Sequence, residues 1–244
     1  MENFGKSAFR RRLPVQERRA EILQKAAEYF AKHGFSGSTR ELASTLGITQ
    51  ALLYKHFESK NDLIEKTLEM AFGESDGNAP RFDAAVSLEQ SLSEFYMQFV
   101  ARSTETRMRL FIRAGLDGRS WPTRRGNALT RTLFLPVIAA LRERASLADL
   151  SEQPAMRGER ELVMMLHASM VFLGIRRHVY GMPMPDNLDD VVDLYVRTFI
   201  QGALPAIRGL HEAGEASLKV NLLAPGPDKP SEAISSGRKR TSKM

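Results

Sequence analysis

The sequence predicts an all-α protein, and three features carry that prediction. Apolar residues recur at three- and four-residue spacing along most of the chain. Short stretches rich in Gly, Pro, Ser and Asn punctuate those runs. No alternating strand pattern meets a hairpin turn, and no segment repeats at a fixed period.

Taken in order, Gln16 to His33 places Ile22, Leu23, Ala26, Ala27 and Phe30 along one side of a helix. Gly34 supplies its C-terminal stop. After the turn-like "FSGS", Ser38 stands three residues ahead of Glu41, the spacing of a capping box. It opens a helix through Leu42, Ala43 and Leu46, which Gly47 ends. Thr49 caps the next helix, where Leu53 and Phe57 share a face. Ser59 or Asn61 opens another, with Leu63, Ile64 and Leu68 apolar. The looser "GESDGNAPRFD" at 73–83 reads as a domain boundary.

Beyond it, Leu88, Leu92, Phe95, Tyr96 and Phe99 form one stripe. Leu110, Phe111 and Ala114 form a second, ending at "DGRSWP". Leu129, Leu133, Val137 and Leu141 form a third, which Pro136 should kink. From Arg157 to Tyr180 the middle is apolar nearly all round, predicting burial on more than one side. After "GMPMPDN", Asp189 to Leu210 forms the last helix, with Val192, Tyr195, Phe199 and Ile200 inward. Residues 211–244 thin to Gly, Pro, Ser and Lys, the composition of a disordered tail.

The 244 residues carry a net charge of +6, unevenly placed. Residues 1–60 hold eleven Lys or Arg against six acids, whereas 61–210 hold eighteen against nineteen. Such a concentration points to an N-terminal module that binds a polyanion. The absence of cysteine excludes disulfides, thiol nucleophiles and cysteine-ligated metals. No apolar core of a secretory signal opens the chain. The most apolar run, Leu162 to Ile175, is interrupted by His167 and shorter than the ~20 residues of a membrane span. The expectation is a cytoplasmic protein with no membrane partner.

Two short helices joined by a tight Gly-containing turn in a basic region read as a helix-turn-helix, a pair also common in ordinary helical proteins. The side chains favour DNA. With Leu53 and Phe57 turned inward, Gln50, Leu52, Tyr54, Lys55 and His56 lie on the outward arc or its flanks. Gln can pair bidentately with adenine in the major groove, and Tyr, His and Lys donate to phosphate oxygens. The helix N-terminus near Lys60 suits a phosphate as well.

The stretch "LASTLGITQALLYKHFESKNDL" resembles the signature of the TetR (tetracycline-repressor) family of bacterial transcriptional regulators. Leu42-Ala43, Gly47-Ile48-Thr49, Leu53-Tyr54, His56-Phe57 and Lys60 fill its places, and the likeness runs from about Gln16 to Met70. One departure stands out: the loop "GFSGSTREL" is one residue shorter than usual for the family. The resemblance implies a basic arm at 1–15, a three-helix DNA-binding domain at 16–72 and a helical effector-binding and dimerisation domain at 82–210. It implies DNA contacts from Ser38, Thr39, Arg40, Thr49, Gln50, Ala51, Leu52, Tyr54, Lys55, His56 and Lys60. The partners it implies are a double-stranded operator, a small-molecule effector and a second copy of the chain. The dimer would form through helices at about 157–181 and 189–208, with Val171, Phe172 and Phe199 as candidates.

For the effector, Phe99, Met108, Phe111, Trp121, Phe134, Met165 and Phe172 could line an adaptable cavity, although most such residues are ordinary core. Arginines at 107, 109, 113, 124, 125 and 131 could attract an acidic ligand or form a solvated face. No enzyme is expected. His167 and His178 stand ~16 Å apart along one helix and cannot share a metal ion. No phosphate loop, nucleotide fingerprint or nucleophile elbow appears, so the chain predicts no catalytic residue, metal or cofactor. A regulator released from a pseudo-palindromic operator is the leading reading; the alternatives are a non-specific DNA packer and, less favoured, an all-helical enzyme with an appended DNA-binding module. The large, nearly neutral second part favours the regulator.

Overall fold

A computed structural model describes residues 14–73, 86–119 and 128–214. Nine α-helices and no strand occur among them. The first four are α1 (Val15–His33), α2 (Thr39–Thr45), α3 (Gln50–His56) and α4 (Lys60–Phe72). They are followed by α5 (Leu88–Ala101) and α6 (Glu105–Leu116). A π-helical turn, Thr130–Phe134, runs directly into α7 (Leu135–Ala145); α8 (Arg157–His178) and α9 (Leu188–Ala213) complete the set. The arm before Pro14, Trp121 and the tail beyond Gly214 lie outside the described residues.

Side-chain caps fix most of the helix starts. Ser38, Thr49, Ser59, Ser87, Thr104 and Asn187 each accept a backbone N–H of the first turn. At α2 the expected capping box is only half made. Ser38 accepts from the Arg40 and Glu41 N–H groups, but the Glu41 carboxylate accepts instead from the Tyr29 hydroxyl at 2.8 Å. Tertiary hydrogen bonding has displaced the local one. Pro136 is accommodated by the π-helical turn, where the Leu135 N–H bonds back to the Thr130 carbonyl. The widened turn places the residue that lacks a donor at the start of the next helix, where no intrahelical N–H is required.

The apolar residues gather in two cores. The first joins Ile22, Phe30, Leu42, Leu53, Phe57, Ile64 and Leu68 with Leu110 and Ala114, so α6 packs with α1–α4 despite following the 73–83 stretch. The second joins α5, the π-helical turn, α7, α8 and α9. Its α9 contribution is Val192, Val196, Phe199, Ile200, Ala203 and Ile207, a single stripe at helical spacing. Pro205 sits inside this helix on its exposed face, where water can satisfy the carbonyl that loses its donor.

One polar cluster lies within this second half. Arg142 and Glu159, both essentially inaccessible, form a bidentate pair at 2.6 and 2.7 Å. The remaining guanidinium hydrogens go to the carbonyls of Ala148, Asp149, Gln153 and Pro154, and Glu159 also accepts from the Met156 N–H. His211 of α9 lies 3.0 Å from the same carboxylate. Burial pushes the Glu159 carboxyl up, but Arg142, His211 and the Met156 N–H outweigh it and hold the group below its ordinary value. A carboxyl held low in the folded state favours folding above the ordinary carboxylate range and loses that contribution as pH falls.

Arg142→Met leaves a buried carboxylate uncompensated and should destabilise the protein by about 3–5 kcal/mol. The double variant Arg142→Met/Glu159→Leu should recover only part of that loss, because the four loop carbonyls still lack their donor. Urea unfolding of both variants measures the split, and full recovery would show that the loop bonds contribute nothing.

Candidate nucleic-acid interface

The interface is built on α2, a four-residue turn and α3. Gly47 adopts the left-handed region at φ 63°, and the turn closes with Gly47 N–H to Ser44 and Ile48 N–H to Ala43, both at 3.0 Å. Thr49 then starts α3 by accepting the Leu52 N–H at 3.1 Å. Only Leu53 of α3 is buried, with Phe57 following it into the core. Gln50, Ala51, Tyr54 and Lys55 are exposed, while Leu52 and His56 are half-buried at the flanks. Ser38 and Arg40 are exposed at the start of α2, and half-buried Lys60 is the first residue of α4.

Thr39 departs from this pattern. It is only 7% exposed, and its hydroxyl accepts from Gln50 Nε2 at 3.0 Å and lies 3.1 Å from the Tyr54 hydroxyl. Two outward side chains are thus tied to one buried group beneath them.

Several residues without a local sequence signal hold this surface in place. Arg19 of α1 donates to the His56 carbonyl at the end of α3 and stacks over the Phe57 ring, 4.4 Å from its centroid. Tyr29 stacks on His33 and fills the space beside Gly37, where a Cβ would approach its ring to 2.7 Å. That contact fixes the short loop, so Ser38 and Thr39 still begin α2. Arg113 of α6 donates to the Ala31 and Lys32 carbonyls at 3.1 and 3.0 Å, neutralising the negative end of α1. Arg119 bonds the Asn61 side chain and lies over Phe35, and Arg107 lies over Phe72. Three of the arginines near α6 therefore grip the first core. Only the spatial proximity of α6, invisible in the sequence, could have marked them.

The residues expected to line an effector cavity are dispersed. Phe99 and Phe134 approach the His167 ring edge-on, with Tyr96 beside them at 6.1 Å. Met108 is buried under Gly174, and Phe111 packs against the first core. Met165 and Phe172 are 56% and 49% exposed on the outer face of α8, because the register of that helix turns Leu166 and Met170 inward. Val171 is half-buried and Phe199 is within the second core. Among the described residues no group of three acidic or His side chains could hold a metal ion, and no helix is long and apolar enough to cross a membrane.

Comparison with known proteins agrees with the local geometry. Residues 22–67 match the family described as bacterial regulatory proteins, tetR family. The HTH-type transcriptional repressor KstR2 of Mycolicibacterium smegmatis is 44% identical over 52 residues, 21% of this chain and 25% of that repressor. KstR2 of Mycobacterium tuberculosis is 40% identical over 55 residues, 22% of this chain and 28% of its own length. The match thus spans about a quarter of these curated relatives. A Pseudomonas aeruginosa PAO1 structure described as a transcriptional regulator shares the fold with a TM-score of 0.57, at 17% identity over 84% of this chain and 95% of that one. AmtR of Mycobacterium smegmatis does so with a TM-score of 0.54, at 21% identity over 81% and 97%.

His56 adds a pH dependence. Desolvation, then the charges of Arg19, Lys55 and Arg18, lower its pKa below the ordinary imidazole value. The unfolded chain therefore binds the proton more readily, and this contribution to stability is present above about pH 6.5 and lost as pH falls. From about pH 7 to pH 5, wild-type stability should fall more steeply than that of His56→Gln. Parallel urea midpoints for the two proteins would show that His56 does not matter.

Proposed function

We propose that this chain, whose residues 22–67 match the tetR family of bacterial regulatory proteins, is a ligand-released repressor, binding a pseudo-palindromic operator as a homodimer. The observation that carries this reading is the outward face of α3. Gln50, Tyr54 and Lys55 project from a helix whose inner side is locked by Leu53 and Phe57, with no acidic residue within it. Such a helix fits the major groove, with Gln50 reading a base and Tyr54, Lys55, His56 and Lys60 meeting phosphates. Arg40 is a second candidate for base readout. Selection of duplexes from a random pool tests this directly. A palindromic consensus is expected, whereas recovery of any duplex with a steep salt slope would identify a packer instead.

Dimerisation is supported by the outer face of α8. Met165, Ala168 and Phe172 form a second apolar stripe opposite the core-facing one, with exposed Met164 beside it and Leu194 exposed on α9. The stripe continues into a groove of about 430 Å³ lined by Gly158, Leu162, Met165, Ala206 and Gly209. Two copies joined here would place two recognition helices on one duplex and roughly double the specific free energy.

Effector binding has a different support. The Tyr96 hydroxyl is fully buried with no hydrogen-bond partner among the described residues, and its ring packs among Phe95, Phe99 and His167. A buried donor without a partner costs about 1–3 kcal/mol, and a ligand oxygen would relieve that cost. Release would follow if the ligand favoured an arrangement in which the two recognition helices no longer match the half-site spacing.

Two outcomes check this function. Lys60→Ala should weaken binding to all duplexes and reduce the log–log salt slope by about one unit; an unchanged slope removes Lys60 from the interface. Phe172→Arg buries a charge without a partner in the dimer and should split it, at a cost of several kcal/mol. Sedimentation of the wild type at micromolar concentration is the direct control: a monomer that still binds its operator tightly would sink the dimer.

A further inference from the structure

Thr39 stands where the family resemblance places a DNA contact, but its hydroxyl is turned into the protein. It is 7% exposed, compared with 41% for Tyr54. Gln50 Nε2 donates to Thr39 Oγ1 at 3.0 Å, and the Tyr54 hydroxyl lies 3.1 Å from the same oxygen. A threonine hydroxyl has one hydrogen and two lone pairs. Accepting from Gln50 leaves Thr39 one lone pair and its hydrogen for the Tyr54 hydroxyl, and either of the two hydroxyls can donate. One buried hydroxyl therefore organises both side chains.

We infer that Thr39 is a positioning residue that sets base selectivity through Gln50 without touching DNA itself. This rests on the proposal that α3 reads bases in the major groove. The argument is a count of hydrogens. A glutamine amide offers one acceptor oxygen and two N–H groups. Adenine presents one acceptor and one donor on its groove edge, N7 and the N6 amino group, whereas guanine presents two acceptors, N7 and O6. With one N–H held by Thr39, Gln50 keeps one donor and one acceptor, which is the complement of adenine. Guanine would need both hydrogens, and its O6 would instead face the Gln50 oxygen. Without the Thr39 hydroxyl the amide can rotate and offer both hydrogens, and the discrimination narrows.

The Tyr54 side of the network has a different consequence. Once the Thr39 hydroxyl is removed, the Tyr54 proton is free for a phosphate whichever of the two donates in the wild type. Removing the Thr39 hydroxyl should therefore alter which base is chosen and leave the number of phosphate contacts unchanged. A residue that itself bound phosphate would do the reverse.

The experiment uses the full chain as wild type, T39V, T39S and Q50A, each selected against a randomised duplex pool and then titrated across salt. T39V keeps the side-chain shape and loses the hydroxyl, and T39S keeps the hydroxyl. Thermal melting confirms that each variant is folded. The expected result is that T39V retains the palindrome but loses roughly five- to tenfold of its adenine-over-guanine preference. The loss should fall at the position that Q50A also relaxes, with an unchanged salt slope and restoration in T39S. A T39V consensus identical to that of a sharply selective wild type would overturn the role of Thr39 alone. A uniform loss of affinity with a shallower slope would overturn it too, by making Thr39 a phosphate contact. A wild type that selects no consensus would remove base readout and the Thr39 role together, and that result is visible before any variant is compared.

Discussion

The reading head does not close its own core. Leu110 and Ala114 of α6 are fully buried among α1 to α4, and Phe111 packs against the same cluster. Burying a side chain of leucine's size contributes about 1.5–3 kcal/mol, a large share of the stability of so small a module. Arg113 adds charge-assisted bonds to the last carbonyls of α1, and its guanidinium lies so close to Gly34 that a Cβ there would meet Nη1 at 2.9 Å. Gly34 also has φ 78°, which strains any residue with a Cβ at this corner, and such a Cβ would push the Arg113 guanidinium aside. The position of α2 and α3 is therefore referred, through α1, to a helix from the other half of the chain.

That helix has a second foothold. Gly174 of α8 lies against Met108 and Ser103, close enough that a Cβ would come within 2.7 Å of the Met108 sulfur. A contact with no side chain on one partner has little slack, and packed interiors pass on displacements rather than absorb them. Any rearrangement that moves α8 past α6 is thus carried toward the N-terminal core, where Arg107, Arg113 and Arg119 hold it. His167, which the rings of Tyr96, Phe99 and Phe134 surround, lies on the same helix as Gly174, two turns earlier. If a ligand is bound beside His167, as proposed, this short path is the one along which it would act on the N-terminal core.

What the sequence made legible was local. The caps at Ser38, Thr49 and Ser59, the inward pair Leu53 and Phe57, and the stop at Gly34 are set by neighbours within one helical turn. Their chemistry can be read without knowing the fold. The residues that were not legible act across distance. Arg113 meets Ala31 from 82 positions away, Arg19 meets the His56 carbonyl from 37, and Arg142 meets Glu159 from 17. Nothing in the pattern around these arginines separates them from Arg109, whose partner is the ordinary i,i+4 Glu105. Thr39 shows the same limit at shorter range: its motif position suggests exposure, and only the packing of α2 on α3 turns the hydroxyl inward.

The charge distribution must be read in the same way. Much of the N-terminal excess is engaged within the protein: Arg18 pairs with Glu21, Lys25 with Glu28, and Arg19 with the end of α3. Among the described residues, Arg40, Lys55 and Lys60 have no ion-pair partner, and all three border the outward arc of α2 and α3. Exposed pairs such as Lys25–Glu28 contribute little to stability, but they remove cationic side chains from competition for phosphate. Cations without an ion-pair partner are thus available to a polyanion beside Gln50. If α3 reads bases as proposed, charge attraction and base readout share one face, and an encounter driven by charge brings that helix toward the groove.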